Sequence, residues 1–304
     1  MLLVIEQLFN GLQLGVTLFL MSAGLTLVFG IMQVINLAHG SFYMIGAYVA
    51  ATVTARSGSS LLGMAVALPA AAVVGMLVEM VVLRRLYKKE HVDQVLATFG
   101  LIMFFNELTR IIWGRQPLFM DVPSWLSGSV ELIPGIPYPS YRIAVIGVGL
   151  MVALFLYLMF TRTRIGMQIR AGASNREMAG ALGINIRLLY TLVFGLGTLL
   201  AGLAGVMAGP ILAVEAGMGE SILILTFVVI VIGGIGSVRG AFIGALLVGM
   251  VDTLGRAFLP ALFRMFLSSA HADGVAASVA SMSIYILMAI ILIWRPKGLL
   301  PAHS

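Results

Sequence analysis

Long apolar runs, separated by short polar punctuation, recur from one end of the chain to the other. We read nine such segments, roughly 8–31, 36–55, 60–83, 94–113, 142–160, 188–213, 221–236, 240–263 and 279–294. Most approach the roughly 20 residues that a helix needs to cross the hydrocarbon core of a bilayer. Lipid offers no hydrogen-bond partners, so a spanning backbone must satisfy itself as a helix or as a closed barrel. A barrel would show period-two alternation with regular turn signals, and this sequence does not. The pattern therefore predicts an all-α, polytopic membrane protein with 8–9 transmembrane segments. Segments 36–55 and 221–236 are short and glycine-rich, and each is either a full span or a half-helix.

Composition agrees. Of 304 residues, 61% are apolar and 10% charged, where a soluble domain carries about a quarter charged residues. The net charge of +6 does not point to nucleic acid, because the basic residues sit in short clusters between spans. Arg84, Arg85, Lys88 and Lys89 form one cluster, and Arg162, Arg164, Arg170, Arg176 and Arg187 a second. With Arg239, Arg295 and Lys297, twelve of the 18 Lys and Arg residues fall on one side when nine segments are threaded alternately. The positive-inside tendency makes that side cytoplasmic, with the N-terminus outside and the C-terminus inside. The first apolar stretch reads as a retained span rather than a cleaved signal. With no cysteine, disulfides and thiol chemistry are excluded.

The outer face receives Asp121, Glu131, Glu215, Glu220 and Asp273. Its longest loop, 114–141, holds five of the ten prolines together with Trp125, which predicts an ordered, irregular cap or a plain connector. The chain reads as one transmembrane domain, 1–304, with no soluble part large enough for an enzyme. The phosphate-binding pattern GxxxxGK[ST] is absent, so energy from ATP would have to come through another chain.

Polar residues inside a membrane are costly and are functional candidates by default. In GLTLVFGIMQVINLAHGSFYMIGAY, residues 24–48, Asn36, His39 and Ser41 interrupt an apolar run beside Gly40 and Gly46. Two readings stand. One is a broken helix beside a substrate path; the other is a helix start at Asn36 with His39 at the cytoplasmic boundary. His39 has no second ligand at metal-binding spacing. A glycine-rich stretch at 233–249 parallels this one: His39-Gly40-Ser41-Phe42 against Arg239-Gly240-Ala241-Phe242, either an internal repeat or a coincidence. Glu107 with Arg110 and Asp252 with Arg256 have the spacing of helical ion pairs, and Glu79, a turn before Arg84, is expected to reach the interface. Only four His occur, His39, His91, His271 and His303, scattered along the chain. No chain of acids and histidines suggests a proton relay, which weighs against a secondary carrier or channel.

Residues 161–190 predict a short cytoplasmic helix, capped at Ser174 or Asn175, with Glu177 in its first turn and Gly183 at its end. Such a helix either docks into a partner or lies on the membrane surface.

Taken together, residues 24–48, 161–190 and 226–249 resemble the permease subunits of branched-chain amino-acid ABC importers, specifically the shorter, H-type subunit of the Liv pair. The ending Trp294-Arg295-Pro296-Lys297-Gly298-Leu299 is similar to the family's usual ending. Glu177, Ala179 and Gly183 fit the EAA-xxx-G pattern by which ABC permeases dock on their ATPase, but Met178 departs from it and the Leu-Pro tail is missing. The resemblance implies a coupling helix around 174–185 that includes Asn175, and a translocation path past Asn36, His39, Ser41 and Tyr43. It implies a bacterial inner-membrane location and no catalysis on the cargo. The implied partners are a second homologous permease, two ATP-binding subunits and an external (periplasmic) substrate-binding protein. ATP and Mg would be bound by the ATPase partners, and no cofactor or metal by this chain. The implied cargo is a branched-chain or related neutral amino acid, with urea, short amides or aromatic acids as alternatives on the same machinery.

Overall fold

The computed structural model describes residues 2–87, 89–133 and 135–301; Lys88 and His303, named above, and Pro134, one of the five loop prolines, lie outside the described residues. The nine apolar segments appear in order as helices α1 (Leu2–Met32), α2 (His39–Ser57), α3 (Ser60–Val78), α5 (His91–Trp113), α6 (Ser140–Arg162), α9 (Ile186–Ala208), α10 (Met218–Gly233), α11 (Val238–Phe263) and α12 (Ser269–Trp294). After α3 the chain continues through a π turn, Glu79–Leu83, into α4 (Arg84–Leu86). Among the described residues, seven helical stretches are long and apolar enough to cross a membrane, whereas α2 and α10, the two segments marked as short, do not meet that standard.

Two helices form the centre. Of the most apolar stretch of α1, 83% is buried, and of α9 72%, against 22% for α3, α5, α6 and α12, which turn most of their apolar surface outward. Without a hydrophobic drive between helices in lipid, close packing needs small residues, and α1 and α9 meet through glycine. A Cβ on Gly24 would lie 2.4 Å from the carbonyl oxygen of Gly197. α9 then meets α2 in the same way, with Gly46 against the backbone of Gly202 and Gly205 against the carbonyl of Tyr43.

The basic segment after α6 folds into two helices rather than the single one expected, α7 (Arg164–Ser174) and α8 (Arg176–Ala181). α7 was hidden in the sequence because only Gly166, Ile169 and Gly172 are buried, and Arg164, Gln168, Arg170 and Ser174 interrupt the rest. The 114–141 loop carries a short 3-10 turn, Ser124–Leu126, and an antiparallel hairpin of β1 (Ser129–Ile133) and β2 (Ile136–Pro139). It is tied to the bundle by buried Tyr138, whose hydroxyl donates to Asn10 Oδ1 at 3.1 Å, and by a bridge between Leu118 and Val214. The C-terminal Trp-Arg-Pro-Lys-Gly-Leu signature folds back on α10: the N–H groups of Leu299 and Leu300 donate to the carbonyls of Ile232 and Gly233, each at 2.9 Å. They satisfy acceptors that a helix C-terminus leaves open.

Candidate substrate pathway and coupling helix

α1 ends at Met32, and Gln33 takes a left-handed conformation (φ 54°), the only non-glycine residue with positive φ among the described residues. From Gln33 to Ala38 the chain is not helical, and burial alternates: Val34, Asn36 and Ala38 face in, while Gln33, Ile35 and Leu37 are more open. This segment climbs back into the bundle. His39, where α2 begins, lies in the layer that holds Gly24 and Gly197, and the neighbouring Thr198 packs on Gly75 of α3. From Gly75, helix rise gives about 16 Å to Leu86 at one end and about 22 Å to Ser60 at the other. α2 therefore starts deep within the helical layer rather than at its edge. Irregular backbone at such depth is tolerated only where it is buried in protein or lines water.

The N-terminus of α10 reaches the same place from elsewhere in the fold. Gly40 and Gly219 touch backbone to backbone, each with a would-be Cβ about 2 Å from the other's carbonyl oxygen. Neither α2 nor α10 has a side-chain cap at its N-terminus, nor do α5, α6 and α12, whereas α3, α7, α8, α9 and α11 are capped by Ser59, Thr163, Asn175, Asn185 and Ser237. Beside the contact is a narrow cleft, lined by Gly40, Ser41 and Met44 of α2, Asn106 of α5 and Gly219 and Glu220 of α10, with apolar side chains closing it. Asn106 Nδ2 donates to Glu220 Oε1 at 2.6 Å.

Of the four path candidates, Ser41 lines this cleft; the others do not. Asn36 is fully buried, and its Oδ1 accepts from the Ala38 N–H at 3.1 Å in an Asx turn, while its Nδ2 has no partner. His39 is also fully buried, against Gly24 on α1; the Met21 backbone lies nearby, but neither ring nitrogen makes a hydrogen bond of normal geometry. Tyr43 is buried where α2 meets α9. The sequence reading missed Asn106 altogether and placed Glu220 on an outer loop. Asn106 was legible as a bare amide in an apolar run, but Glu220 needed the fold to bring α10 against α5.

Glu79 corrects another expectation. It does not reach the interface; it is fully buried in the π turn and accepts from Arg84 Nη2 (2.9 Å), Tyr87 Oη (2.5 Å) and Thr191 Oγ1 (2.7 Å). The π turn carries Glu79 toward α9, and the carboxylate ties the end of α3 to the first turns of α9. The expected pairs Glu107–Arg110 and Asp252–Arg256 both form, the second at 2.9 Å, and Arg264 adds a bond to Asp273.

On the coupling segment, Asn175 caps α8, its Oδ1 accepting from the N–H groups of Glu177 (3.0 Å) and Met178 (2.9 Å). Gly183 (φ 88°) ends it: its N–H donates to Gly180 and that of Ile184 to Ala179, the paired bonds of a Schellman stop. Ala179 is buried and Glu177 exposed. Met178 and Leu182 stand out from this capped turn at 60% and 77% exposure.

A polytopic bundle whose chain is interrupted inside the helical layer, with a capped helix projecting from one end, is the build of a transport permease. Comparison with known proteins makes this specific: the chain belongs to the family described as branched-chain amino acid transport system, permease component, whose model matches residues 7–293. The high-affinity branched-chain amino acid transport system permease protein BraD of Pseudomonas aeruginosa is 30% identical, covering 97% of this chain and 95% of that one. The corresponding LivH of Escherichia coli K12 is 31% identical over 88% of this chain and 90% of its own. The ribose import permease protein RbsC of Escherichia coli K12 is 28% identical over 82% and 77%. No solved structure matches. The protein is thus a multi-pass inner-membrane permease of the transport class.

Proposed function

We propose that this chain forms one half of the translocation path of a binding-protein-dependent ABC importer for branched-chain or related neutral amino acids. A second, homologous permease completes the path. Two ATP-binding subunits hold ATP and Mg and hydrolyse ATP, and an external binding protein delivers cargo to the hairpin-bearing face; this chain performs no chemistry on it. Cargo passes Ser41, with the buried polar groups of Asn36 and His39 behind it and Tyr43 fixing α2 on α9.

The observation that carries the reading is α8. A helix of six residues is too short to be stable alone, yet it is closed at both ends by Asn175 and Gly183 and leaves Met178 and Leu182 exposed. An exposed apolar pair on a capped turn fits a groove in a partner. In this role Asn175, Ala179 and Gly183 build the helix, while Glu177 with Met178 and Leu182 contacts the ATPase. Closure of the ATPases then moves α7 and α8 as a body and, through α9, switches the path between its two openings.

The test is reconstitution with the ATPases, second permease and binding protein, following radiolabelled leucine uptake and ATP hydrolysis, beside a Glu177→Arg variant. The expected result is uptake that needs ATP and the binding protein and is uncoupled by the substitution. ATP-driven uptake of another solute and not of leucine would correct the cargo alone. Flux through this chain alone, indifferent to ATP and to Glu177, would make it a carrier or channel and overturn the proposal.

A further inference from the structure

The cleft between α2, α5 and α10 has the chemistry of a site for a zwitterion. The amides of a helix N-terminus point along its axis and carry the positive end of the helix dipole, about half a unit charge each. They are normally satisfied by a side-chain cap, and here the two helices that meet inside the bundle, of 19 and 16 residues, both lack one. The glycines at the contact keep side chains out, so the two first turns converge there; the N–H groups of Ser41 and Glu220 already donate to the carbonyls of Ala38 and Gly217 at 3.0 Å, while those of Gly40 and Gly219 have no backbone partner among the described residues.

The cleft itself points independently to a ligand. Ser41 lines it, is 4% exposed, and its hydroxyl has no hydrogen-bond partner among the described residues. The hydroxyl is not sealed in the bundle, and it is free to donate into the cleft. Glu220, in the first turn of α10, also lines it, with one carboxylate oxygen engaged by Asn106. Hydrogen-bond donors and an acidic group therefore share one cleft, and Leu37, Met44, Ile102 and Leu223 form the remaining wall.

We infer that this cleft holds the amino-acid backbone of the cargo in transit. The α-carboxylate takes hydrogen bonds from Ser41 Oγ and the Gly40 and Gly219 amides. The α-ammonium donates to Glu220, held in place by Asn106. The side chain of the cargo faces the apolar wall and the second permease. Such a site reads the zwitterion common to all neutral amino acids and leaves side-chain selection to other components. The inference rests on the importer reading above.

The experiment uses the complete reconstituted importer with saturated binding protein and L-leucine as the probe. Glu220→Gln keeps an amide oxygen to accept from Asn106 and removes only the charge, so a purely structural role would leave it working. Leucine uptake is expected to fall about ten-fold or more, the scale of a lost charge-assisted hydrogen bond, while binding-protein-stimulated ATP hydrolysis continues. Glu107→Gln, outside the cleft, is the control and should transport normally. If Glu220→Gln does not assemble, Ser41→Ala decides, with leucine uptake expected to fall several-fold. Unchanged uptake in Glu220→Gln, or in Ser41→Ala where that variant decides, overturns the site and leaves the importer reading standing. A wild-type complex that moves urea or a sugar and no amino acid overturns the site and corrects the cargo, and flux through this chain alone, indifferent to ATP, overturns both readings.

Discussion

The contact between Gly40 and Gly219 makes a prediction whose size follows from geometry. A methyl on Gly40 would lie 2.2 Å from the carbonyl oxygen of Gly219, and one on Gly219 would lie 2.1 Å from that of Gly40. Ordinary contact begins at 3.4 Å, so either alanine must drive α2 and α10 apart by about 1.2 Å. Both atoms to be moved are backbone, and no side-chain rotation can relieve the clash. Overpacking of this kind costs about 1–3 kcal/mol, and a backbone-to-backbone case belongs at the upper end. Once the helices have separated, the second methyl enters a gap already open. Gly40→Ala with Gly219→Ala should therefore cost less than the two single changes together, by about 1 kcal/mol, the coupling expected for touching sites.

Gly100 and Gly147 supply the control, because a Cβ at either meets nothing within 4 Å. Alanine there should be neutral or slightly stabilising, up to about 1 kcal/mol from helix propensity. The assay is unfolding of the purified complex in mild detergent, read as a denaturation midpoint for the four single variants and the double. Gly40→Ala tolerated as well as Gly100→Ala, or strict additivity of the pair, would refute the reasoning.

Other expectations follow from the same packing. Glu79→Ala strands Arg84, Tyr87 and Thr191 and should destabilise by about 2–3 kcal/mol; this is below the usual 3–5 for breaking a buried pair, because Arg84 is partly exposed and can turn to water. A thermal-unfolding midpoint no lower than that of wild type would contradict it. Asn175→Ala removes the cap of α8 at a cost of about 1 kcal/mol, and amide exchange across 176–182 should quicken while that of α9 holds. Met178→Asp with Leu182→Asp leaves the fold intact but should abolish co-purification of the ATPase, and retained binding would move the docking surface elsewhere.

Sequence carried most of the architecture because, in lipid, apolar length and helix are nearly the same statement. It also located α2 and α10 as the exceptional segments, since their glycines and polar residues break the apolar run. It did not carry depth. Nothing around Asn36 and His39 distinguishes a helix beginning at the membrane edge from one beginning well inside, because the six residues before α2 are as apolar as a span. Depth came from which layer of α1, α3 and α9 received His39. Glu79 was misplaced for a related reason: the π turn that carries it inward leaves no mark in the sequence. Ser41 was legible as a polar interruption, whereas Glu220 looked like a loop acid and became part of a cleft only through tertiary contact.

α10 brings these features together. Its carboxyl end is satisfied by the chain's own tail, through the Leu299 and Leu300 amides, and Gly233 there packs on Gly240 of the Arg-Gly-Ala-Phe stretch. Its amino end packs on Gly40 of the His-Gly-Ser-Phe stretch and has no side-chain cap. The two similar stretches thus perform matching tasks at opposite ends of one short helix, each offering a glycine where backbone must meet backbone. Polar satisfaction, however, is not symmetric between those ends. Carbonyls are closed off where α10 meets the tail, whereas at its amino end Met218 and Glu220 donate to Glu215 and Gly217 and the Gly219 amide, against α2, has no backbone partner among the described residues. A donor left open inside a bundle is costly, and keeping the Gly219 amide so beside the Ser41 hydroxyl and an anchored carboxylate is the arrangement expected where a polar solute is to pass.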